Sequence, residues 1–226
     1  MPEIEYPKSY EALGRFITAF EGMVDEARSN STRLLSKDPT HLHLIEVALH
    51  HPSITAKPVF EIFRAIIIQI VDASIEAQKI FKKTGKRHPM TRYGIGKKPI
   101  DFSPSDREIF LGVLKTIADE FTALVNMRNN LLHGTWFVGY TESSSDPFAE
   151  EFHVHKYAVT KEGLAALKLP KSRGELLELG KRCTDVTHWL WQIDQCINGY
   201  NPISERFQRR GSDWVIAFGQ TTLPKK

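Results

Sequence analysis

Apolar side chains recur at intervals of three and four along most of this chain, as they do in helices that bury one face. From Ser9 to about Arg28 the stripe is Leu13, Phe16, Phe20, Met23 and Val24. Asp38-Pro39 offers an N-cap and a first-turn proline for a short helix through Leu42, Ile45 and Leu49, ending near His50-His51-Pro52. Pro58 opens a longer helix striped by Phe60, Phe63, Ile67, Ile70, Ser74, Ile75 and Phe81, and Gly85 stops it. Ser105-Asp106-Arg107-Glu108 reads as a capping box, serine and glutamate each satisfying an open backbone donor. The helix behind it carries Phe110, Leu114, Ile117, Phe121 and Leu124, with Gly134 placed to end it. A second box, Ser172-Arg173-Gly174-Glu175, opens the most regular stripe: Leu176, Leu179, Cys183, Val186, Leu190, Ile193 and Ile197. Trp189 and Trp191 flank it, and Asn198-Gly199 closes it.

Between the last two long helices the period changes. Trp136, Val138 and Tyr140 alternate with other residues, as do Phe152 and Val154, around a turn-rich Glu142–Pro147. This predicts a β-hairpin at about 134–159. A brief helical turn is expected at Lys161–Leu167, and a strand-like Trp214–Phe218 is expected to extend the hairpin sheet. The pattern predicts a mainly α protein, an antiparallel helical bundle of four to five helices with a small β-hairpin appendage. Residues 1–200 form the helical domain and 201–226 a basic tail, with Arg206, Arg209 and Arg210.

Composition narrows the classes. A chain of 226 residues can bury a sizeable core, and 41% hydrophobic with 25% charged content is globular rather than disordered. A net charge of +3 does not announce a nucleic-acid binder, so the distribution of charge matters more. Lys82–Lys98 holds Lys82, Lys83, Lys86, Arg87, Arg92, Lys97 and Lys98, no acid, and Tyr93. Such a run suits phosphate contacts with one stacking ring, and equally a solvated loop. The first 20 residues do not read as a signal peptide. Ala65–Val71, interrupted by Gln69, is too short to span a bilayer. A cytoplasmic protein without a membrane partner is expected. Cys183 and Cys196 on one helix lie about 20 Å apart, beyond reach of a disulfide.

One stripe position past Leu124 stands Arg128. A guanidinium in a slot suited to leucine needs a carboxylate, a water-filled cleft, an interface or an anionic ligand. His133 falls at the helix end, where unsatisfied carbonyls attract positive charge, and histidine ordinarily exchanges protons near neutral pH. Read from the residues alone, Arg128 can pair with Glu61, Asp72 or Glu120 while His133 caps its own helix.

Arg128-Asn129-Asn130-Leu131-Leu132-His133-Gly134 resembles the motif of the HEPN family, an arginine and a histidine separated by four to six residues. Members favour a polar residue after the arginine, here Asn129, and the order of long helices around the motif is similar. A decoy at like spacing, Arg182 and His188, lies inside an unbroken helix with Cys183 after the arginine. The resemblance implies a metal-independent endoribonuclease that uses no cofactor and leaves a 2′,3′-cyclic phosphate and a 5′-hydroxyl. In it His133 moves protons, Arg128 binds the phosphate and Asn129 orients it. Lys86, Arg87, Arg92, Tyr93, Lys97 and Lys98 are then the candidate RNA contacts. The resemblance further implies a homodimer with motifs meeting at a two-fold interface, and a role as toxin or defence effector with an antitoxin or regulatory protein. HEPN-like domains that have lost catalysis serve instead as modules binding RNA or a protein partner. Five residues of helix turn through about 500°, leaving roughly 140° between the Arg128 and His133 side chains. Either the helix loosens before His133 or a second copy contributes part of the site.

The remaining candidates are weaker. His153 and His155 have a spacing metal sites use, but no third ligand accompanies them, so they read as a solvent-facing pair. His41, His43, His50 and His51 read as surface or packing residues. Gly94-Ile95-Gly96 is not followed by the Gly-Lys-Ser/Thr of a phosphate loop, and there is no nucleophile elbow.

Overall fold

The computed structural model describes residues 8–35, 39–51, 53–88, 91, 99–138, 152–160, 163–170 and 172–217. The elements run α1 (Lys8–Leu35), α2 (Pro39–Leu49), α3 (Ala56–Thr84), α4 (Pro104–Leu132), β1 (Thr135–Val138), β2 (Phe152–His155), β3 (Tyr157–Thr160), β4 (Gly163–Ala166), α5 (Arg173–Ile197), α6 (Ile203–Arg206), β5 (Phe207–Arg210) and β6 (Asp213–Ile216). The fold is a mainly helical bundle with a small antiparallel β appendage. No helix among the described residues is long and apolar enough to cross a membrane.

Each long helix has a local reason for its limits. α1 continues past Arg28 to bury Leu34, and its buried polar residues find partners along the helix: Ser31 Oγ donates to the Ala27 carbonyl at 2.7 Å and Thr32 Oγ1 to that of Arg28 at 3.0 Å. α3 stops at Gly85, which takes φ 67° and donates its N–H to the Phe81 carbonyl at 2.8 Å. α4 begins at Pro104, and its capping box is Ser103 with Asp106 rather than Ser105 with Glu108. The Asp106 N–H donates to Ser103 Oγ at 3.1 Å and the Ser103 N–H to Asp106 Oδ2 at 2.8 Å. A proline suits the first helical position, so the serine before it becomes the cap. α5 opens with the Glu175 N–H on Ser172 Oγ at 3.2 Å. It closes with the Gly199 N–H on the Cys196 carbonyl at 3.1 Å and the Tyr200 N–H on that of Gln195 at 3.0 Å, a Schellman end.

Among the described residues the strands form three separate antiparallel pairs. β1 and β2 are the expected hairpin, in register from Thr135 opposite His155 to Val138 opposite Phe152. Tyr140 and Glu142–Pro147 lie outside the described residues. Two expectations are corrected. Where a helical turn was expected, β4 pairs with β3, Tyr157 facing Ala166 and Thr160 facing Gly163, because so short a helix cannot repay its nucleation whereas an adjacent strand supplies partners at once. The strand near the C-terminus does not extend the first hairpin. β6 pairs with β5, from Phe207 opposite Ile216 to Arg210 opposite Asp213. Gly211, at φ 63°, provides the tight turn, and the nearest strand wins on closure entropy.

The chain divides into two compact units, Met1–Gly22 with Thr122–Thr184, and Met23–Phe121 with Asp185–Lys226. Helices α1, α4 and α5 run through both. In the first, Phe16, Phe20, Leu124, Leu131, Leu176 and Leu179 are buried. α5 packs on α1 there, so that a Cβ added at Gly180 would stand in ordinary contact, 3.6 Å from the Phe16 Cα. In the second, Phe60 stacks on Phe121 at 4.8 Å and Trp189 meets Phe207 at 5.5 Å. Burying side chains of this size contributes about 1.5–3 kcal/mol each.

Candidate functional site

The site is built on the last two turns of α4. Phe110, Leu114, Ile117, Phe121, Leu124 and Leu131 on this helix are all fully buried. Arg128 occupies the stripe position between Leu124 and Leu131, yet its side chain is 30% exposed. Its stem runs inward and its head outward, as long cationic side chains do on apolar surfaces. The guanidinium carbon lies 5.7 Å from the centre of the Phe20 ring. Nη2 donates to Glu21 Oε1 at 3.4 Å, and Nη1 to Asn129 Oδ1 at 3.3 Å. Nε is buried and has no hydrogen-bond partner.

Those magnitudes roughly cancel. A half-exposed ion pair contributes about 0–1 kcal/mol and a cation over a ring about 0.5–1 kcal/mol. A buried donor without a partner costs about 1–3 kcal/mol. Arg128 is therefore not explained by what it adds to folding.

The carboxylate that Arg128 meets is Glu21, and none of the three acids expected from sequence. Glu61 pairs with Arg64 at 3.4 Å. Asp72 takes a two-pronged contact from Arg107, at 2.5 and 3.3 Å, which raises the Arg107 pKa further through hydrogen bonding and charge. Glu61, Asp72 and Glu120 all belong to the other compact unit. Glu21 carried no signal in the sequence, because it lies 107 residues away. Phe20 was visible only as a core stripe residue.

His133 is exposed, and its N–H donates to the Asn129 carbonyl at 3.1 Å. The α-helical ladder thus runs intact through His133 and tightens only at Gly134, whose N–H reaches the Leu131 carbonyl at 3.4 Å. Loosening of the helix before His133 is excluded, and the two side chains keep their separation of roughly 140°. Among the described residues no hydrogen bond joins Arg128 to His133. The structure brings Arg128 and Asn129 together and leaves His133 apart.

Of the candidate RNA contacts, Lys86 and Arg87 follow the end of α3 and are exposed. The Lys86 N–H donates to Thr84 Oγ1 at 3.2 Å, and the Arg87 guanidinium lies 5.9 Å from the Phe81 ring centre. Both belong to the second unit, whereas Arg128 and His133 belong to the first. Arg92, Tyr93, Lys97 and Lys98 lie outside the described residues. The decoy histidine, His188, is held in place by stacking on Trp191 at 5.9 Å and by a 3.1 Å contact between its Nε2 and Gln192 Nε2.

Among the described residues, no group of three His, Cys, Asp or Glu side chains could hold a metal ion. Cys183 and Cys196 are reduced and buried. Burial pushes the Cys196 thiol up to about 12, against a smaller opposing pull from the Arg206 guanidinium, so it is no nucleophile near neutral pH. No family model, curated protein or solved structure matches the chain.

Proposed function

We propose that this chain is a metal-independent endoribonuclease of HEPN type, acting in the cytoplasm as a toxin or defence effector, with its site shared between two copies. The observation that supports it most is the placement of Arg128: a guanidinium between two fully buried leucines, with its head reaching solvent and no net gain to folding. The intact helix through His133 supports the second copy, because one chain does not bring the two side chains together.

In this reading the 2′-oxygen of RNA attacks the adjacent phosphorus and the P–O5′ bond breaks. The proton leaves the 2′-hydroxyl, and the departing 5′-oxygen receives one, with His133 moving protons as general acid or base. Arg128 exchanges Glu21 for the phosphate and stabilises charge building on its non-bridging oxygens. Asn129, already touching the guanidinium, orients it. Lys86, Arg87, Arg92, Tyr93, Lys97 and Lys98 are the proposed RNA contacts.

Complementation between two inactive variants tests the shared site. Arg128→Ala and His133→Ala chains are each expected to lose RNA cleavage. Refolded together, they should regain roughly a quarter of the native rate, since half the dimers are mixed and each mixed dimer holds one intact pair. If each chain holds its own pair, mixing restores nothing. The contact with Glu21 favours a second reading, a non-catalytic helical module in which Arg128 is a structural ion-pair member. Intact cleavage by both single variants, or RNA binding without cleavage by the native chain, would select it.

A further inference from the structure

Six asparagines occur in the chain, and Asn198 alone is followed by glycine. That pair is the most prone to lose its side-chain amide, because glycine puts no side chain in the way of its own backbone nitrogen. The nitrogen of the following residue, once deprotonated, adds to the asparagine Cγ. The Cγ–Nδ2 bond breaks, ammonia leaves and a cyclic imide forms. Water then opens the ring at one carbonyl to give aspartate, or at the other to give isoaspartate. Asn201 is shut out of this route, since the nitrogen after it belongs to Pro202 and carries no proton to give up.

In the folded chain both reacting groups of the Asn198 pair are occupied. Asn198 Nδ2 donates to the Asp194 carbonyl at 2.9 Å and to Asp194 Oδ1 at 3.1 Å, which holds the carboxamide against the turn before it. Its attacker lies on the other side. The Gly199 N–H donates to the Cys196 carbonyl at 3.1 Å, with Gly199 at φ 75°, and the Tyr200 N–H on the Gln195 carbonyl completes the cap. These bonds lie within one compact unit, at the end of a helix, where opening starts most readily.

The same bonds decide what the product can do. Asp194 is buried, and its Oδ2 lies 3.5 Å from Arg33 Nη2, a group that also meets Glu26 at 4.0 Å. An ionised aspartate at 198 has no hydrogen to donate. Its oxygens would face the Asp194 carbonyl and carboxylate, acceptor against acceptor, at the negative end of α5. Isoaspartate adds a carbon to the main chain just before Gly199, out of step with the cap.

We infer that Asn198 is a conformation-gated deamidation site: the closed cap of α5 protects it, opening exposes it, and the product cannot rebuild the cap. The chain thereby keeps a chemical record of having unfolded. This does not depend on the ribonuclease reading.

Incubation of the full chain at pH 8, with and without guanidinium chloride, tests it. Mass spectrometry of its digest follows the amide-to-acid exchange at each asparagine. In denaturant Asn198 should convert ahead of the others, and in native buffer roughly tenfold or more slowly. Asn198→Asp, made directly, should lower the folded-to-unfolded ratio about tenfold, and Asn198→Ala by less. Asp194→Asn added to Asn198→Asp should return part of that loss, since it sets a donor opposite the new carboxylate. Failure of Asn198→Asp to fold would be the same loss in its extreme form, and the two rates on the native chain still decide the gating. Equal rates in native and denatured chains, earlier conversion of another asparagine in denaturant, or an Asn198→Asp chain as stable as the native one would overturn the assignment.

Discussion

The guanidinium carbon of Arg128 lies 5.7 Å from the centre of the Phe20 ring, in a slot that Leu124 and Leu131 fill about one turn before and after it. Its weak contacts and its orphaned Nε come close to cancelling. Replacement by leucine removes the orphan and buries an apolar side chain, a gain of about 1.5–3 kcal/mol against about 0.5–2 kcal/mol of lost ion pairing and cation–ring attraction. Arg128→Leu is therefore expected to leave stability unchanged or to raise it by about 1 kcal/mol in urea denaturation, while RNA cleavage disappears. A loss of more than about 2 kcal/mol would show instead that the arginine holds the fold together.

The cap of α4 gives a sharper contrast. Ser103→Ala removes the acceptor of the Asp106 N–H and should cost about 1 kcal/mol. Ser105→Ala, inside the first turn, should change stability by no more than a few tenths. Thermal unfolding of the two variants separates them, and equal losses would argue against the assigned cap.

That pair also shows how far the sequence could be read. The helices were legible because a stripe of many residues averages out local errors, as with the seven stripe positions from Leu176 to Ile197, each of them buried. The cap was displaced by two residues because Ser103 and Ser105 both precede an acid three positions on, and only Pro104 distinguishes them. Short strands were hardest. Nothing in Gly163–Ala166 says that β3 is waiting as a partner, and nothing in Trp214–Ile216 prefers β5 over the first hairpin until the Gly211 turn is weighed. At the candidate site, Arg128 announced itself as a charge on an apolar stripe. Glu21 did not, since a contact spanning 107 residues leaves no trace in local pattern. Ser74 was seen as a polar member of the α3 stripe, and its role in pinning Ile100 and Phe102 emerges only from the fold.

The thiols offer a prediction in pH. Burial disfavours the thiolate of Cys196, raising its pKa to about 12, so the reactive form is scarce in the folded protein near neutral pH. A thiol reagent such as Ellman's reagent should label Cys196 slowly in native buffer at pH 8. It should label both Cys183 and Cys196 rapidly in strong denaturant, where the ordinary pKa near 8.5 returns. Rapid labelling of the native protein at Cys196 would contradict its burial.

Two glycines should respond to alanine in opposite directions. Both lie inside long helices, where the exchange is worth up to about 1 kcal/mol in helix propensity. At Gly180 the added Cβ meets the Phe16 backbone at 3.6 Å, an ordinary contact, so Gly180→Ala is expected to gain about 0.5–1 kcal/mol. At Gly112 the same atom would overlap Trp214 Nε1 and fall 2.7 Å from its Cε2, so the indole has to leave α4. Losing that packing costs about 1–3 kcal/mol, which outweighs the propensity gain. Gly112→Ala is expected to be destabilising, with Trp214 moving towards water and the tryptophan emission shifting to the red. In a Trp214→Leu background the clash is gone, and Gly112→Ala should recover its helical benefit. A double-mutant cycle with no coupling between the two positions would mean that Trp214 does not rest on Gly112 in solution.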